Sequence, residues 1–182
     1  MRLALHHHPD GVEVAGPNAI VYDLGAGAAH VAPARVAGEA LSWGLVGDRD
    51  EAPGALVACG VELDPQTEWL MRCDRVEFAR GGVACRHTHP GPGIRCLLYG
   101  RITIDSEGSV STYGPGQAWF ERGPDPVLAT TSPNEPSAFA RVLLLPAAYA
   151  GQRTIRYTEA ADAEKPKTQN ATILCEAPVV WT

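Results

Sequence analysis

His87 and His89 are the residues of this chain best suited to chemistry, because only Thr88 separates them. In an extended segment, residues two apart project from the same face, so the two imidazoles can converge on one point. Neutral imidazole is a common ligand of divalent metals, and a metal held there would polarise a bound oxygen or activate water or dioxygen. Two ligands do not complete a site, and the competing reading is a polar strand end whose rings bond to backbone or solvent. Other metal-binding residue types are scattered. The five cysteines, Cys59, Cys73, Cys85, Cys96 and Cys175, are odd in number and form no C-x-x-C pair, which argues against a disulfide framework or a thiolate zinc site. Cys85 and Cys96 lie near the histidine pair, where a soft ligand or reactive thiol competes with plain burial. His6-His7-His8 reads as a solvated segment near the terminus.

The elements that must position these groups read as strands. The 15 prolines and 19 glycines cut the 182 residues into short segments that favour strand over helix. Glu68 to Phe78 reads as one or two strands closed by Gly81-Gly82, and Ile94 to Asp105 follows, with a turn at Ser106-Glu107-Gly108-Ser109. Val110 to Tyr113, Ala118 to Glu121 and Phe139 to Leu145 complete the series. This spacing of short strands predicts an all-β antiparallel sandwich or barrel. Segments Gly11 to Val14, Ala19 to Tyr22 and Ala55 to Ala58 are strand-like, whereas the Ala/Gly-rich stretch 25–40 is ambiguous. One domain follows: a β-rich extension over 1–64, a core over 65–146 and an arm over 147–182 that wraps the core or a neighbouring subunit.

A net charge of −6 with no Lys/Arg block argues against nucleic acid as a partner. No run of eighteen apolar residues exists, so no transmembrane helix is expected, and the opening apolar stretch is too short for a signal peptide. The cytoplasm is the expected compartment, and the Asn170-Ala171-Thr172 sequon then carries no meaning.

Gly81, His87, His89 and Gly100 fall in the register of the first motif of the cupin superfamily, and the chain resembles that family over about residues 65 to 146. The motif's glutamate is missing, since its two possible positions hold Gly93 and Ile94. Tyr113 to Glu121, with Gly116 in place, resembles the opening of the second motif. Beyond it the proline, glycine, histidine and asparagine positions hold Arg122, Pro124, Val127 and Thr131, so the second-motif histidine is absent too. The resemblance implies a jelly-roll barrel, one divalent ion (Fe, Mn, Ni, Zn or Cu), a small-molecule ligand or substrate and a homodimer paired through edge strands and arms.

The resemblance also places Gly93 in the barrel lumen, and strand parity then puts Gly93, Arg95, Leu97 and Tyr99 on that face. A guanidinium inside a barrel is costly unless paired, so Arg95 needs a protein carboxylate or an anionic ligand. Glu121 is the leading carboxylate, with three roles open: third metal ligand beside His87 and His89, salt-bridge partner of Arg95, or rim residue facing water. Asp125 is a looser candidate, in a loop able to fold over the mouth. Arg95 would hold the anionic group of a substrate, Tyr99 and Glu121 would do proton or electrostatic work, and Trp119 or Phe120 would form an apolar wall. Two functions are carried forward: a small metalloenzyme of dioxygenase, isomerase or lyase type acting on a small organic anion, and a non-catalytic small-ligand binder that has lost its metal. Glu121 turned to a metal favours the first, and Glu121 paired with Arg95 favours the second.

Overall fold

A computed structural model describes residues 1–48 and 50–181. The described residues contain seventeen strands and two short 3-10 helices joined by turns and loops. The first seven strands are β1 Arg2–His8, β2 Val12–Val14, β3 Ala19–Asp23, β4 Ala28–Val31, β5 Ala34–Val36, β6 Ala40–Val46 and β7 Val57–Gly60. The next eight are β8 Trp69–Phe78, β9 Val83–Thr88, β10 Gly93–Tyr99, β11 Ile102–Ser106, β12 Ser109–Tyr113, β13 Ala118–Glu121, β14 Val127–Thr131 and β15 Ser137–Pro146. The last two are β16 Arg156–Tyr157 and β17 Gln169–Pro178.

Strands β8 to β15 divide between two antiparallel sheets, ordered β13-β10-β15-β8 and β12-β11-β14-β9. That order is a double-sheet jelly roll, the architecture of cupins, so the expected fold stands. The tail adds β17 beside β8 and β16 beside β9, so it lies along one flank of its own barrel and extends both sheets. Thr168 ties the two together by exchanging hydrogen bonds with the backbone of Val83.

Strand parity explains a third layer. On β8, β10 and β15, the odd-numbered or even-numbered set that faces away from the lumen is apolar: Met71 and Cys73, Ile94 and Cys96, Ala140, Val142 and Leu144. The sheet β4-β3-β6-β1-β7 covers this surface with Leu3, Leu5, Ile20, Tyr22, Leu41, Trp43 and Leu45. Trp43 is wholly buried and donates its indole N–H to the Ile94 carbonyl at 3.1 Å, which fixes the layers against each other. Losing a side chain of this size from a core costs about 3–5 kcal/mol. Cys96 points into this layer, where burial pushes its thiol up to about 12, so it is neither ligand nor nucleophile.

Two expectations change. The run expected as one strand from Ile94 to Asp105 breaks into β10 and β11 at Gly100, whose φ of +83° and close approach to Ser137 and Pro136 exclude other side chains. Strand β14, bounded by prolines at 126 and 133, lies in a stretch where no strand is expected.

Candidate functional site

Between the two jelly-roll sheets lies a cavity of about 750 Å³, and the ladder register specifies its floor. One cross-strand row runs Trp119, Arg95, Arg141, Asp74 across β13, β10, β15 and β8. The next row runs Glu121, Gly93, Leu143, Arg72. On the other side Leu97, Phe139 and Val76 form an apolar row, with Phe78 beyond it. From the facing sheet come His87, Ala84, Ile104, Val127 and Ala129, while His89, at the end of β9, and Thr154 of the tail join at the polar end. The cavity therefore has a charged end and an apolar end.

Arg95 is wholly buried. Its Nη2 lies 2.7 Å from Glu121 Oε2, and its Nη1 donates to the Gly93 carbonyl at 2.6 Å. The second carboxylate oxygen, Oε1, accepts the Trp119 indole N–H at 2.8 Å. Of the three roles open for Glu121, the structure places it as the partner of Arg95, not at the solvent rim. Burial pulls the Arg95 guanidinium down to about 10, with the Glu121 charge opposing the shift, so it stays cationic at neutral pH. Glu121 stands directly opposite Gly93 in the β10–β13 ladder, so a carboxylate arrives from the neighbouring strand beside the position where the motif's glutamate is missing. Gly93 itself has no room for one: a Cβ would run into the Val142 carbonyl oxygen and come within 2.7 Å of Leu143 Cδ2.

A second network surrounds His89. Asp74, fully buried, receives Arg141 through Nε at 2.9 Å and Nη2 at 2.8 Å, and Arg72 Nε lies 2.9 Å from its other oxygen. Arg141 Nη1 reaches His89 Nε2 at 3.4 Å. A guanidinium only donates, so His89 Nε2 is the acceptor and the ring proton sits on Nδ1, facing Thr154 Oγ1 at 3.2 Å. His87 has the same tautomer for a different reason: Nδ1 faces the Cys85 carbonyl at 2.7 Å and must donate, leaving the Nε2 lone pair without a protein partner. Burial, then the charges of Arg141 and Arg95, hold His89 well below the usual histidine range, and burial lowers His87 as well. Both rings are neutral at pH 7.

The histidine rings lie edge to face with centroids 4.9 Å apart, as the alternating spacing predicts. The set does not fit a resident divalent ion. His89 turns its lone pair to a guanidinium, both Glu121 oxygens are engaged, and Glu121 Oε2 is 4.0 Å from His89 Nε2. Three buried arginines already make this end positive, and a dication would add to that charge. Among the described residues, no cluster of three His, Cys, Asp or Glu side chains has metal-binding geometry.

Other expected site residues fall elsewhere. Tyr99 is a correction: β10 bulges between Leu97 and Tyr99, so Leu97 faces Phe139 but Tyr99 faces Ala138. Parity flips at the bulge, and Tyr99 emerges on the outer surface, where its hydroxyl lies 3.4 Å from Glu77. Phe120 also leaves the lumen, since it alternates with Trp119 and packs against the outer layer. Trp119 does wall the cavity, stacked on Tyr113 and edge-on to Phe139. Asp125 is 3.6 Å from Arg122 and does not line the cavity. His7 pairs with Glu39 and His8 with Ser42, away from the barrel lumen. Arg72, Asp74 and Arg141 were not expected. Their signal was a charge at an inward position of an otherwise apolar strand, as in Phe139-Ala140-Arg141-Val142-Leu143.

No family model and no curated protein matches the chain. Solved structures similar to it include a salicylate 1,2-dioxygenase from Pseudoaminobacter salicylatoxidans (9% identity, 94% of this chain and 68% of that one, TM-score 0.46). They also include AerE from Microcystis aeruginosa (16% identity, 80% and 82%, TM-score 0.44). A cupin 2 conserved barrel domain protein from Salinispora arenicola is similar at 16% identity over 50% and 86%, TM-score 0.37. At these identities the jelly-roll assignment rests on the strand order of this chain. No helix among the described residues is long and apolar enough to cross a membrane.

Proposed function

We propose that this protein binds a small organic anion inside its barrel and does so without a resident divalent metal. The observation that carries this reading is the pairing of Glu121 with Arg95 at 2.7 Å, which commits to a salt bridge the carboxylate otherwise available to a metal. The cavity volume is in the range that accepts a small organic molecule. Its charged end holds three arginines whose fork-like donors suit carboxylate or phosphate.

Metal analysis by inductively coupled plasma mass spectrometry, after incubation of tag-free protein with each candidate ion and desalting, tests the metal-free part. Substoichiometric metal that is the same in wild type and in the His87→Ala, His89→Ala double variant is expected. Near-stoichiometric metal lost in the double variant would overturn it and restore the metalloenzyme reading. A thermal-shift screen of organic and inorganic anions tests the binding part.

His87 supports a second, compatible reading. A neutral imidazole with a fixed tautomer and a lone pair open to the lumen is equipped to accept a proton from a bound molecule. Exchange of a ligand's acidic C–H with deuterated solvent, present in wild type and abolished in His87→Gln, is the expected result if it does so.

A further inference from the structure

Arg95 and Arg141 are Cα partners on neighbouring antiparallel strands, so two arginines stand directly opposite each other on the lumen face. Both are buried, and like charges in that relation oppose folding. Each is compensated from its far side, Arg95 by Glu121 and Arg141 by Asp74, and His89 Nε2, which accepts from Arg141, adds no negative charge between them. Asp74 is moreover shared, because Arg72 also bonds to it. Among the groups that line the cavity, then, three guanidiniums stand with two carboxylates, and a third carboxylate, Glu176, lies 3.7 Å from Arg72 outside it. Glu176 also accepts the Gly151 N–H, a neutral donor that leaves its charge to offset Arg72. Arg153 and Lys167 line the mouth, where exposure to water screens them.

The remainder of the lumen has the opposite character. Past the arginine row the walls are Val76, Phe78, Ile104, Val127, Phe139 and the face of Trp119, with no ionisable group among them. A highly charged, polyhydroxylated molecule would leave its polar groups unpaired there, whereas an apolar body would be sheltered from water.

We propose that the ligand is a monocarboxylic acid with an apolar body, its carboxylate clamped between Arg95 and Arg141 and its body lying against Trp119, Phe78 and Phe139. This rests on the anion-binding reading and narrows it to one charge, one head-group chemistry and one orientation. A single carboxylate between the opposed arginines relieves their repulsion, while a second charge would have to lie against the apolar wall.

The test is isothermal titration calorimetry of the wild-type chain with five probes: benzoate, hexanoate, benzamide, phthalate and inorganic phosphate. Binding by benzoate or hexanoate is expected, with benzamide and phthalate at least about tenfold weaker, the worth of one charge-assisted hydrogen bond gained or one charge left unpaired. Arg141→Lys keeps the charge but loses the fork, and should weaken benzoate by about tenfold. Phthalate or phosphate binding more tightly than either monocarboxylate, or benzamide equalling benzoate, would overturn this inference. In the first of those cases the anion-binding reading survives. If none of the four anions binds, both fail. Because the comparison among probes uses only wild-type protein, it holds even if the variant does not fold.

Discussion

Replacing Glu121 with glutamine removes one charge at nearly constant shape, and the surroundings of Arg95 set what that costs. The Arg95 side chain is 1% exposed and that of Glu121 11%, so water replaces the missing partner poorly. Removing one member of a buried ion pair costs about 3–5 kcal/mol, mostly through the charge left behind. Glutamine keeps one acceptor oxygen, enough for either the Trp119 N–H or the Arg95 guanidinium but not both, and its new N–H₂ must face the other donor. One retained hydrogen bond recovers about 1 kcal/mol, which puts the expected loss near 3 kcal/mol. In a chain of this size that lowers Tm by about 6–12 °C. Guanidinium chloride unfolding of wild type, Glu121→Gln, Arg95→Met and the double variant reads both the loss and the coupling. The double variant should be more stable than the two single losses added together imply, by about 2 kcal/mol. Added benzoate should stabilise Glu121→Gln more than wild type, because its carboxylate meets the orphaned guanidinium. A Glu121→Gln protein within about 0.5 kcal/mol of wild type, or strict additivity, would refute the pairing.

Three further outcomes follow from the same geometry. His87 and His89 bind protons more weakly folded than unfolded, so below the unfolded value of about 6.5 the unfolded state takes up more protons; stability is complete above that pH and falls as pH drops through and below it. Denaturation midpoints at about pH 7.5 and 5.5 check this, and a midpoint that rises on acidification would contradict it. Gly93→Ala should destabilise by about 1–3 kcal/mol, seen by calorimetry, since its methyl would press on the Val142 carbonyl and Leu143. Tyr99→Phe should leave stability within about 0.5 kcal/mol and benzoate affinity unchanged, because Tyr99 lies outside the cavity; a clear loss of binding would return it to the site.

The sequence by itself determined the all-β class, several strands of the core and the alternation of side chains along them, because alternation and turn residues are local, but not β1, β6 or β14. His87 and His89 converge because they sit two apart on an extended segment, and Arg95 points inward because it keeps phase with Gly93. That phase held only while the ladder stayed regular: one bulge at Leu98 sent Tyr99 to the opposite surface. Such a bulge depends on the fit to β15, about forty residues downstream, which no local pattern encodes. The charge partners are non-local for the same reason. Arg95 meets Glu121 and faces Arg141, and Asp74 joins Arg72 to Arg141, through cross-strand registers that exist only once β8, β10, β13 and β15 lie side by side. A guanidinium's character, metal-site neighbour or anion clamp, is decided by which carboxylate reaches it first. Here the tertiary structure delivered Glu121 to Arg95 and set Arg141 across the ladder from it.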